Sequence, residues 1–282
     1  MSAGAAQLVS VEDVHFRYGT RSVLNGLSLS IPRGKLVAIL GASGSGKSTL
    51  LRLIGGQLRP RRGRVVVDGQ VVSELSSDAL YALRKRMGYM FQAGGLFSDM
   101  TVFENVAFPM REHTGLSAPL IRELVLMKLH AVGLRGANQL TPSELSGGMA
   151  RRVALARAIA IDPMLSMYDE PFAGLDPISI NVIAKLIRVM NDAMGTTSIV
   201  VSYDVQESLK VADYVYVLGE GKVCGAGTPD DMRKSTDPFL RQFFDAQPDG
   251  PIQFHYPARP YDADLGIPRA SAATAAPSSH TP

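Results

Sequence analysis

Apolar residues recur along the chain in two alternating patterns, and the alternation predicts a mixed α/β fold. LVSVEDVHF (from Leu8) and LSLSI (from Leu27) are short β-like runs. KLVAIL (Lys35 to Leu40) is continuous and apolar, as a strand buried on both faces of a parallel sheet should be. RVVVDGQVV places two apolar runs about Asp68-Gly69, the strongest short-range signal for a hairpin.

From about Gly94 to Ala160 the pattern turns helical, through TVFENVAFPMREH, APLIRELVLMKLHAVGL and GGMARRVALARAIA. That block predicts a helical subdomain at about 94–160, set into an α/β core. Strand PMLSMYDE follows, then helix PISINVIAKLIRVMNDAM, with Asp176 as its cap and Pro177 at its first position. Strand TTSIVVS, a short helix, and strands around YVYVL and KVCGAG continue the alternation. After about Pro248 periodicity is lost, so the expected division is one large domain over 1–247 and a C-terminal extension with a disordered tail over 248–282. No internal repeat is visible.

Composition narrows this picture only slightly. With 282 residues and 46% hydrophobic residues, the chain can bury a sizeable core. A formal net charge of +3 does not announce nucleic acid, and the basic runs RPRRGR (Arg59 to Arg64) and RKR (Arg84 to Arg86) are expected to be solvated surface. The single cysteine, Cys224, has no partner for an internal disulfide and is expected to be a small packed residue, suggesting a reducing compartment. MSAGAAQLVSVED lacks a basic start followed by an apolar core, so no secretory signal is expected. The best apolar helix carries Arg122, Glu123 and Lys128, so a membrane role is expected to come through a partner.

The residues that carry chemistry begin after KLVAIL. GASGSGKST (Gly41 to Thr49) fits the phosphate-loop pattern with a strand before it and a helix after it. Glycines such as Gly41, Gly44 and Gly46 let backbone N–H groups, with those of Ser43 and Ser45, point into one concavity. The helix N-terminus adds partial positive charge there, Lys47, expected to be exposed, reaches terminal phosphates, and the hydroxyl of Ser48 can ligate Mg²⁺. MLSMYDE ends in Asp169-Glu170, where one carboxylate can hold Mg²⁺ through water and the next can accept a proton from attacking water. Ser166, mid-strand, is expected to hydrogen-bond locally. In LSGGMARRVALARAIA, Ser146-Gly147-Gly148 opens a helix and offers a second, separate set of anion-binding donors.

Taken in order over roughly residues 8–245, these motifs resemble the nucleotide-binding subunits of ATP-binding cassette transporters. The resemblance implies a P-loop NTPase core of α/β class, with an antiparallel β subdomain and an inserted helical subdomain, that binds and hydrolyses ATP with Mg²⁺. It implies that Tyr18 in FRYG stacks on adenine, that Gly41 to Thr49 is the Walker A loop, and that Gln92 in MFQAG is the Q-loop glutamine, a catalytic residue and Mg²⁺ ligand. LSGGM is similar to the signature, with Met149 where glutamine is usual, YDE to Walker B with Glu170 as catalytic base, and GLD (Gly174 to Asp176) to the D-loop. Two copies packed head to tail would then set the signature of one chain against the phosphate loop of the other, which accounts for two anion sites on one chain.

One departure concerns IVVSYDVQESL. In the family this strand ends in His-Asp, with the histidine at the γ-phosphate, whereas here the position is Tyr203. None of the five histidines lies near enough in sequence to replace it by a register shift. The expectation is an ATPase that binds normally and turns over slowly; an ATP-binding regulatory cassette without hydrolysis stays open as an alternative, as does the ATPase of some other importer or exporter. Cassettes of DNA repair and chromosome structure are set aside because no sustained heptad separates Gln92 from the signature.

LRLIGGQL, the run from LFSDM to LRGA, PSELSGGMARR and DGPIQFHYPARPYDADL further resemble the subgroup that powers phospholipid transport between the inner and outer membranes of Gram-negative bacteria. That likeness implies a homodimer of cassettes on the cytoplasmic face of the inner membrane. Its partners would be a membrane permease, an MCE-domain protein and a STAS-domain protein, with no nucleic acid.

Overall fold

The computed structural model describes residues 6–252 together with 264 and 265. Most of the predicted C-terminal extension, FHYPARPYDA included, lies outside the described residues.

β1 (Gln7–Tyr18) and β2 (Arg21–Pro32) form a long antiparallel hairpin. β3 (Leu36–Gly41) is buried along its whole length, and the phosphate-loop segment leads from it into α1 (Lys47–Ile54). β4 (Arg62–Val67) pairs antiparallel with β1 and with the short β5 (Gln70–Val71), giving a four-stranded sheet in the order β2-β1-β4-β5. Between β4 and β5, Asp68 and Gly69 both have positive φ, 49° and 75°, the backbone that a two-residue hairpin turn of this twist demands.

The chain then crosses through α2 (Ser77–Arg84) to β6 (Met87–Met90). Next come α3 (Val102–His113), α4 (Ala118–Ala131) and α5 (Gly147–Ala158), which pack on one another. Thr101 and Glu104 close a reciprocal capping box that fixes the start of α3. β7 (Leu165–Asp169), α6 (Pro177–Met194), β8 (Thr197–Ser202), α7 (Val205–Val211), β9 (Tyr214–Gly219) and β10 (Lys222–Gly227) complete a six-stranded sheet in the order β10-β9-β3-β8-β7-β6. β3 is parallel to β8 and β9, β7 is parallel to β6 and β8, and β10 is the antiparallel edge. α8 (Pro229–Lys234) and α9 (Pro238–Phe244) cover that edge.

Three apolar clusters hold these layers together. One joins the large sheet to α3, α4, α5 and α6, another lies between the two sheets around α1, and a smaller one sits under α7, α8 and α9. Strands β3, β7 and β8 all end at the same sheet edge. There the order of connections reverses about β3, which is where open α/β sheets leave a crevice for ligands.

The basic runs are surface positions, and several are paired with acids. Arg62 meets Asp13 at 3.1 Å, Arg64 meets Glu12 at 2.7 Å, and Arg86 meets Asp68 at 2.7 Å. Two smaller expectations are corrected. Cys224 is exposed, because it falls on the edge strand β10 and points out of the sheet. The Ser166 hydroxyl is fully buried in β7 without a hydrogen bond of ordinary geometry, beside the equally buried and unpartnered hydroxyl of Tyr168 two residues along the same strand face. No helix among the described residues is long and apolar enough to cross a membrane.

Candidate functional site

The turn between β3 and α1 is shaped by backbone that only glycine tolerates. Gly41 has φ 151°, and a Cβ there would sit 2.4 Å from the Leu218 carbonyl oxygen. Gly46, which precedes α1 with φ 102°, would push a Cβ to 2.6 Å from Leu24. The loop therefore lies tight against the second sheet while its N–H groups stay free of side chains. Ser45 Oγ is buried beneath this loop without a partner, close to the Cα of Gly41.

Lys47 differs from the expectation of an exposed lysine. It is buried at 6% exposure, and its ammonium donates to the carbonyls of Gly41 at 2.8 Å and Ala42 at 3.2 Å. Its remaining direction faces Glu170 Oε1 at 3.5 Å. The loop curls back over the first turn of α1, so the lysine stem is enclosed rather than projecting. Burial holds the ammonium below the ordinary lysine range, with Glu170 opposing.

Two carboxylates meet the loop from the end of β7. Ser48 Oγ donates to Asp169 Oδ1 at 2.8 Å, and Tyr89 Oη donates to Asp169 Oδ2 at 3.2 Å. Burial, with Asp169 beside it, pushes the Tyr89 phenol up, so Tyr89 acts as the donor. Glu170 occupies the left-handed region at φ 49°, strained for a side chain of its size. That backbone turns the carboxylate back toward Lys47, and Tyr203 N–H donates to Oε2 at 3.1 Å. Burial pushes the Glu170 carboxyl above the usual carboxylate range, against the opposing pull of Lys47 and the Tyr203 amide.

A cavity of about 350 Å³ opens over this arrangement. Tyr18, Ser43, Gly44, Gly46, Lys47, Ser48, Thr49, Gln92, Glu170 and Tyr203 line it, so most of the residues singled out from the sequence converge on one space. Gly41 and Ser45 shape the loop beneath it, and Asp169 reaches it through Ser48. Tyr18 is partly exposed at its mouth, edge-on to Phe16. Arg21 also lines the cavity and was not anticipated; its place after the Tyr18-Gly19 turn was the available signal.

The signature and D-loop residues are elsewhere. Ser146 caps α5 by accepting from Met149 N–H at 3.3 Å. Gly147 and Gly148 pack toward Leu175 and Ser179, beside Asp176, which caps α6. Ser146, Gly147 and Asp176 are exposed, and none of the four lines the cavity of its own chain.

Hard oxygen donors at Ser48 and Asp169, a glycine-rich turn at a helix N-terminus in which Ser45 N–H donates to the Ala42 carbonyl at 3.2 Å, a lysine and an adjacent carboxylate form a set that fits a nucleoside triphosphate with a divalent cation. Comparisons agree with this chemistry. Residues 24–173 match the family model described as ABC transporter. The chain is 53% identical over 265 residues to the intermembrane phospholipid transport system ATP-binding protein MlaF of Escherichia coli K12, covering 94% of this chain and 98% of that protein. It is 54% identical over 258 residues to MlaF of Haemophilus influenzae, covering 92% and 98%. Among solved structures it is similar to the dimeric post-hydrolysis state of the ATP-binding cassette MJ0796 bound to ADP and Pi, with TM-score 0.72, 30% identity, and 78% and 98% of the two chains covered.

Proposed function

This chain belongs to the ABC transporter family, and from that premise we propose that its ATPase activity powers phospholipid transport between the inner and outer membranes of a Gram-negative bacterium. High identity to MlaF over nearly the whole of both chains supports the cargo. The carboxylate of Glu170, held between Lys47 and the Tyr203 amide beside the Ser48–Asp169 pair, is the observation that carries the chemistry.

In this reading Tyr18 stacks on the adenine and the amides of Gly41 to Thr49 hold the phosphates. Lys47 and the α1 N-terminus balance their charge. Ser48, Asp169 and Gln92 are the residues that would hold Mg²⁺, which would supply positive charge against the phosphates. Glu170 takes a proton from water as the water oxygen bonds to the γ-phosphorus; the bond to the β-bridging oxygen breaks, giving ADP and phosphate. Raised basicity suits this task. Tyr203 holds the Glu170 carboxylate only through its backbone, and its hydroxyl lies farther along its side chain than an imidazole nitrogen would. The water is therefore positioned less well, and turnover is slow.

Ser146, Gly147, Gly148 and Asp176 do not line the cavity of their own chain, and in this reading they serve the site of a second copy packed head to tail. The dimeric MJ0796 cassette supports this arrangement. A groove of about 360 Å³ between β6 and α3, lined by Phe91, Phe97, Phe108 and Pro109, is suited to a cytoplasmic helix of a permease. The partners are an MlaE-like permease, an MlaD-like MCE-domain protein and an MlaB-like STAS-domain protein. Through the permease the chain sits at the cytoplasmic face of the inner membrane.

Purification of the tagged chain from membranes, followed by reconstitution in vesicles, tests this reading. The expected result is a copurifying multispanning protein with bound phospholipid, and ATP-dependent movement of labelled phospholipid. A complex that moves another solute and no lipid would overturn the cargo while leaving the ATPase intact.

A further inference from the structure

Asp169 has a hydroxyl on each carboxylate oxygen, and only one of them comes from the phosphate loop. Ser48 Oγ donates to Oδ1 at 2.8 Å; the Tyr89 phenol donates to Oδ2 at 3.2 Å. Tyr89 arrives from β6, the edge strand paired in parallel with β7, where it stands opposite Met167. Its ring is half-buried, lies 4.5 Å from the ring of Phe91, and forms part of the wall of the groove beside α3. Clamped in this way, the hydroxyl has little freedom to turn from Asp169. The same strand runs on into Gln92.

We infer that Tyr89 is a positioning residue for the divalent cation, holding Asp169 Oδ2 so that Oδ1 stays turned toward Ser48 and the phosphates. A carboxylate fixed at one oxygen loses less rotational freedom when the other is engaged, so the cation meets a preset ligand. Tyr89 also ties the groove wall directly to the carboxylate, so a partner pressing on the groove bears on the metal site through one side chain. This inference rests on the assignment of Ser48 and Asp169 to Mg²⁺.

The test is ATP binding by the full chain, measured calorimetrically in EDTA and across a Mg²⁺ series, for the unsubstituted protein and for Tyr89→Phe, which keeps the ring. Affinity in EDTA should agree within about twofold between the two. The Mg²⁺ concentration giving half of the affinity gain should rise about tenfold in Tyr89→Phe, the lower end for a hydrogen bond to a charged group because water reaches this open cavity. An unshifted Mg²⁺ requirement overturns the inference, as does an equal loss of affinity with and without Mg²⁺, which would mean that the ring only supports the fold. Unsubstituted protein whose ATP affinity ignores Mg²⁺ overturns the metal assignment itself.

Discussion

Tyr203 holds Glu170 through its backbone and not through its side chain: its N–H donates to Glu170 Oε2 at 3.1 Å while the ring is 50% exposed. A side-chain substitution at this position therefore leaves the carboxylate anchor in place. In the proposed mechanism what changes is the group offered to the phosphate and the attacking water.

Tyr203→His should accordingly raise steady-state ATPase turnover of the assembled complex with little change in ATP affinity. One hydrogen bond to a charged group is worth about 1.5–3 kcal/mol, on the order of 10- to 150-fold in rate. Equal and robust rates in the two proteins would show that the phenol suffices.

Lys47→Ala should abolish ATP binding, and its burial adds a stability effect. The substitution leaves the carbonyls of Gly41 and Ala42 and the buried Glu170 without their cation. A loss of about 1–3 kcal/mol in the nucleotide-free protein is expected, read by urea denaturation. Stability within about 0.5 kcal/mol of the unsubstituted protein would mean that these groups find water instead.

The pH profile follows from the direction of the Glu170 shift. Burial raises its pKa, and the base works only when ionised, so activity is lost as pH falls through that raised value. Triphosphate charge nearby pushes in the same direction. The acid limb of kcat should therefore lie above the ordinary carboxylate range of about 4.3, and the residual rate of Glu170→Gln should lack that limb. A limb at or below the ordinary value would contradict the burial of this group in the working enzyme.

Phe97→Glu places a charge in the groove beside α3, where Phe97 packs on Phe108 and under Arg157. Copurification of the permease should fall by tenfold or more, with ATP affinity unchanged. Retention of the permease would move its docking site elsewhere on the surface.

Features set by backbone chemistry were legible in the sequence. KLVAIL followed by GASGSGKST could be read because a buried parallel strand and a left-handed, side-chain-free turn each restrict residue type severely. Asp68-Gly69 and Asp176-Pro177 announced a turn and a helix start for the same reason. What the sequence hid depends on register and enclosure. β6 is too short for its period to show, so the meeting of Tyr89 with Asp169 exists only once β6 pairs with β7. Likewise, the burial of Lys47 comes from how the loop folds over its own helix, and the exposure of Cys224 from which strand ends up at the sheet edge.

The central claim, that this cavity hydrolyses ATP with Glu170 as base, is tested most directly by Glu170→Gln, with ATP affinity and steady-state turnover measured on the same preparation. The account predicts retained binding, a dimer stabilised by ATP, and turnover reduced about 10²- to 10⁴-fold. Normal turnover in that variant would contradict it.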